Sequence, residues 1–73
     1  MKSWTYKEIT EATVLQIDVA MGLARESKQK NYSESSIDHY THIAVGAFHL
    51  WDSITRHHQK EGDRERVEAM TKI

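Results

Sequence analysis

Apolar residues recur with helical spacing along two long stretches of this chain. In the first, at about 100° per residue, Ile9, Thr13, Ile17, Ala20 and Ala24 share one face. Ala12, Val19 and Leu23 flank that face on one side, and Val14 and Met21 on the other. Glu11, Asp18 and Arg25 form the opposite, solvated stripe. The start is marked twice. Thr5 and Glu8 stand at the N-cap and N3 positions of a capping box, and Trp4 and Ile9 take the two positions of a hydrophobic staple. The pattern predicts a helix over about 6–28. Its apolar arc spans roughly 200°, even discounting Thr13 and Gln16, which is more than one partner helix usually covers.

A polar connection, "ESKQKNYSESS", follows. Asn31 is a candidate left-handed residue, and the serines are candidate caps. Arg25, Lys28 and Lys30 crowd the end of the first helix, where cations suit the negative end of the helix dipole.

The second stretch predicts a helix over about 36–60 that stops at Gly62 as its C′ residue. Ile37, Tyr40, Ala44, Ala47, Trp51 and Ile54 recur with strict 3,4 spacing, the signature of a packing seam. Ile43 and Leu50 widen one flank of the seam, and Phe48 the other. Gly46 lies off it. Residues 63–73 form either a short third helix capped by Asp63, with Val67 and Met70 as its apolar face, or a frayed tail.

Two amphipathic helices and a short polar link predict an all-α fold, an antiparallel helical hairpin in a single domain over 1–73. A lone hairpin leaves much of the first helix's arc in water. The expected remedy is a homodimer forming a four-helix arrangement. A groove kept for a helix of another protein satisfies the same physics. The expected interaction seam comprises Ile37, Tyr40, Ala44, Ala47, Trp51 and Ile54, with Ile9, Ile17, Ala20 and Ala24 from the first helix.

Composition narrows the function classes. The chain has 73 residues, no cysteine and no proline, and a net charge of −1 with histidine neutral. Without cysteine there is neither a disulfide framework nor a thiolate metal site. No apolar run approaches the roughly 20 residues that span a bilayer. Polar residues break any signal-peptide core in "MKSWTYKEITEAT", so a soluble cytoplasmic protein is expected, with no membrane partner. Interspersed charges disfavour nucleic-acid binding, which needs a concentrated basic surface.

All five histidines fall between His39 and His58. On the second helix His39, His42 and His49 lie on or beside the polar arc, His57 at its edge, and His58 on an extension of the seam. Two zinc ligands on one helix favour i,i+4 spacing, and no HxxxH occurs. His42 and His49 are about 10.5 Å apart along the axis and cannot share an ion within one chain. Asp38 with His42, or His49 with Asp52, supplies at most two ligands. No intrinsic metal or cofactor is therefore expected. Histidine changes charge near neutral pH, which admits a switch at His58 and the adjacent His57. Surface histidines beside acidic partners are the simpler expectation. Ser53 lies near His49 and His57, yet nothing in the sequence activates it, so no catalytic residue is expected.

The expected function is that of a small non-enzymatic interaction protein acting as a helical homo-oligomer. Two alternatives come from particular residues. "RESKQK" and "DRERVEAMTK" would form basic patches on a dimer, giving a nucleic-acid-associated regulator. His42 or His49 would bridge chains through zinc, in which case zinc changes the oligomer mass and His42→Ala abolishes the change. The overall profile, with "MKSWTYKEITEAT" at the start and "IAVGAFHLWDSI" within a long helix, resembles small accessory proteins from early regions of lambdoid phages. That resemblance implies a host-directed regulator modulating infection or the lysis–lysogeny choice, and it assigns no functional residue.

Overall fold

The computed structural model describes residues 3–31 and 33–72. Within them lie three helices and no strand: α1 (Tyr6–Gln29), α2 (Glu34–Thr55) and α3 (Asp63–Ala69). The first two pack against each other as a hairpin.

The start of α1 follows its sequence signals. The Thr5 hydroxyl accepts from the Glu8 backbone N–H at 3.1 Å, and the Glu8 carboxylate accepts from the Thr5 N–H at 3.2 Å. Each bond satisfies a donor that the first turn cannot pair internally. After Lys30 the chain turns through Asn31 at φ 58°, a left-handed conformation that asparagine tolerates better than most residues. Ser33 caps α2, two residues earlier than the spacing alone suggests, and its hydroxyl accepts from the Ser36 N–H.

The second helix stops at Thr55, short of the expected end near Lys60. The His58 N–H closes a tight turn onto the Thr55 carbonyl at 2.8 Å. Beyond it, side chains elsewhere capture the chain. Gln59 Nε2 donates to Asp52 Oδ1 at 2.7 Å, and the Lys60 N–H donates to the Tyr6 hydroxyl at 3.3 Å. Gly62, at φ 86°, therefore serves not as the end of α2 but as the N-cap of α3, and Asp63 is the first residue of that helix.

The core lies between the helices. Ile17, Ala20 and Met21 of α1 pack with Ala44, Phe48 and Trp51 of α2 and Val67 of α3. Burying the Trp51 side chain, at roughly 200 Å² and 25 cal/mol per Å², contributes about 5 kcal/mol of transfer free energy. Its indole N–H donates to the Thr10 hydroxyl at 2.9 Å in the buried interior. Among the described residues no buried side-chain nitrogen or oxygen lacks a partner.

The short third helix packs chiefly on α2 and reaches one flank of α1 through Met70. Met70 packs on the core beside Val14, and Met21 is 1% exposed. Seven residues make only about 10 Å of helix against about 36 Å for α1, so the cover is local. Polar ties hold α3 in place. The Tyr6 hydroxyl donates to Asp63 Oδ2 at 2.7 Å, and Arg64 Nε lies 3.2 Å from Asp52 Oδ1. The Arg64 guanidinium also sits over the Phe48 ring, 5.6 Å from its centroid. No helix among the described residues is long and apolar enough to cross a membrane.

Candidate interaction face

The other flank of α1 stays open. On α1 the 3,4-spaced positions Ala12, Gln16, Val19 and Leu23 form one stripe, and on α2 Ile43, Ala47, Leu50 and Ile54 form another. The hairpin brings them to the same side, where Ala12 and Gln16 line a groove of about 430 Å³ together with Ala47, Leu50 and Ile54. Ala12, Thr13 and Ala47 are the small members of its lining, and Trp4, Leu50 and Ile54 the large exposed ones. Val19 is 53% exposed, Ile54 54%, Trp4 58% and Leu50 63%. Leu23 and Ile43 extend the apolar surface toward the loop end.

No charged side chain lines the groove. Gln16 is its one amide, and the Thr13 hydroxyl is already bound to the Ile9 carbonyl at 2.8 Å. Such a lining offers shape and apolar area but no acid, base or nucleophile. It suits another apolar surface better than chemistry on a bound substrate.

The ten residues singled out by the sequence fall in three places. Ile17, Ala20, Ala24, Ala44 and Trp51 are buried between the two helices of the single chain. Ile9, Ile37, Tyr40 and Ala47 are half-buried. Only Ile54 stands largely in solvent. The strict seam is thus the contact of the hairpin with itself, and the open face lies about a quarter-turn around each helix. In the sequence pattern Leu50, Val19, Leu23 and Ile43 are only flank positions, although the width of the α1 arc already requires a second covering surface. Trp4 and Ile9, the staple positions, line the same groove.

The histidines gather no site within the described residues, where no three His, Asp or Glu side chains are placed to hold one ion. The His39 ring meets the Tyr40 ring edge-on at 5.4 Å, and the His49 ring lies 5.4 Å from Phe48. His57 and His58 fall in the turn after α2. Asp52 is bound by Gln59 and Arg64. The Gln59 amide, then Arg64 and Arg56, hold its carboxyl below the usual range. The two arginines of the tail are also engaged, Arg64 with Asp52 and Glu68 and Arg66 with Asp63.

Comparison with protein-family models, with curated proteins and with solved structures returns no match.

Proposed function

We propose that this chain is a non-enzymatic protein-interaction module that acts as a homo-oligomer, a dimer first of all, in a regulatory role. The observation that carries the proposal is the open face of the hairpin. Taking roughly 150–250 Å² per large side chain, the exposed fractions of its six large apolar residues amount to on the order of 500 Å², near the top of the range for a monomer's largest patch. A standard interface buries about 800 Å² per partner, which the polar edges of this face would complete. A second copy satisfies this area with no other component and closes a four-helix arrangement.

A regulatory role of the kind played by small phage accessory proteins is consistent with a lining that has no chemistry of its own. A host partner would then bind the assembled dimer. Sedimentation of the purified protein tests the first step. A dimer at micromolar concentration is expected, and a stable, cooperatively folded monomer that binds no partner overturns the proposal.

A further inference from the structure

Building on that homo-oligomeric role, we infer that the second copy docks in one orientation. Its α1 crosses antiparallel over α2 of the first copy, with the two-fold axis along the helices. Glu8 and Glu26 of each copy then meet His57 and His39 of the other.

The two long edges of the open face differ in chemistry. Along α1 the edge runs through Glu8, Ala12, Val19 and Glu26, and along α2 through His39, Ile43, Leu50 and His57. Eighteen residues separate the two glutamates, and eighteen separate the two histidines. Eighteen residues are five full helical turns, so each pair returns to the same edge. His57 lies just past α2, where Arg56 keeps helical angles of φ −45° and ψ −42°. Thr10 meets Trp51 across the hairpin through a 2.9 Å hydrogen bond, and Ile9 and Ile54 line the same groove. Glu8 is therefore within about a turn of the level of His57, and the equal spacing carries the same match to Glu26 and His39.

Two hairpins meeting face to face have two choices of two-fold axis. An axis across the helices lays α1 on α1 and sets glutamate against glutamate and histidine against histidine. An axis along the helices lays α1 on α2 and sets each carboxylate against an imidazole. Bulk meets small residues either way, so charge decides. Imidazole offers an N–H to a carboxylate in either protonation state, whereas apposed glutamates only repel. Within the chain Glu8 accepts from Thr5 and Glu26 from Lys30, in each case through Oε1. Neither bond uses Oε2.

The natural chain has no cysteine, which makes the test direct. Full-length Gln16→Cys and Ala47→Cys chains are mixed, re-equilibrated and treated with a short bis-maleimide. Links between Gln16→Cys and Ala47→Cys chains are expected to dominate. Preferential linking of Gln16→Cys chains to one another overturns the orientation while leaving the dimer intact. A monomeric mass for the unmodified protein overturns the orientation and the homo-oligomer together. Charge exchange gives a second measurement. Glu26→Lys is expected to weaken the dimer about three- to tenfold, and adding His39→Glu to restore it. A double variant no tighter than the single one overturns the pairing.

Discussion

The Trp51 indole and the Thr10 hydroxyl meet at 2.9 Å in the buried centre of the hairpin, joining residues 41 positions apart. Both are almost fully enclosed, Trp51 at 1% and Thr10 at 7% exposure. The bond sets the register of α2 on α1, and its loss strands a buried donor. Thr10→Val keeps the shape and removes the acceptor. The expected cost is about 1–3 kcal/mol, the desolvation of an unpaired N–H. At about 4–8 °C per kcal/mol for a domain of this size, a thermal melt reads it easily. A melt within 2 °C of the parent would show that the bond contributes little.

The open face makes a different prediction. Leu50→Asp places a charge on the proposed contact surface at a position 63% exposed, so the hairpin itself should fold. Circular dichroism is expected to keep its helical amplitude while sedimentation shifts toward monomer. Ala69→Asp is the control. Ala69 is exposed on α3, outside the groove and its edges. Equal loss of mass in both variants would argue against a defined face.

Acid should loosen the third helix. The Tyr6 hydroxyl bond, followed by Arg66, holds the Asp63 carboxyl below its usual range despite some burial. A depressed folded pKa stabilises the fold above the unfolded value and is lost as pH falls through the folded one. The contribution is thus complete above about pH 5 and fades below about pH 4. Asp63→Asn is expected to lower the melting temperature at pH 6 and to converge with the parent near pH 3. Parallel melting curves across that range would remove Asp63 from the acid response. At the basic end, burial and then Asp63 raise the Tyr6 hydroxyl above 10.0, so its contribution is present through neutral pH and lost only once it ionises.

Gly62 tests the turn into α3. Its φ of 86° lies in the left-handed region, and a Cβ built there meets nothing within 4 Å. The cost of Gly62→Ala is therefore conformational rather than steric, about 1–2 kcal/mol. Urea unfolding should show a lower midpoint, and Gly62→Asn should recover part of it, since asparagine visits this region more readily. An unchanged midpoint for Gly62→Ala would mean that the turn relaxes freely.

Local chemistry made most of the framework legible. The Thr5–Glu8 box and the 3,4 spacing of Ile17, Ala20 and Ala24 against Ala44 and Trp51 depend on residues a turn or two apart, and these features appear where the spacing puts them. The stop of α2 was not legible. Nothing near Thr55 breaks a helix, and the turn there is stabilised by Tyr6 from the far end of the chain and by Asp52 of the last helical turn, whose hydrogen bonds draw residues 59–64 back over the hairpin.

The same division holds for the face. The sequence by itself determined that α1 has more apolar surface than one neighbour can cover, because helical periodicity sets the width of the arc. Only the tertiary structure decided which flank stays open. Val67 and Met70 reach the Val14 and Met21 side because Gly62 turns the chain that way, and a seven-residue helix is too short to cover both. Val19, Leu23, Ile43 and Leu50 are left in solvent for that reason, and the outward turn of these flank residues, rather than the inner seam, creates the surface available to a partner.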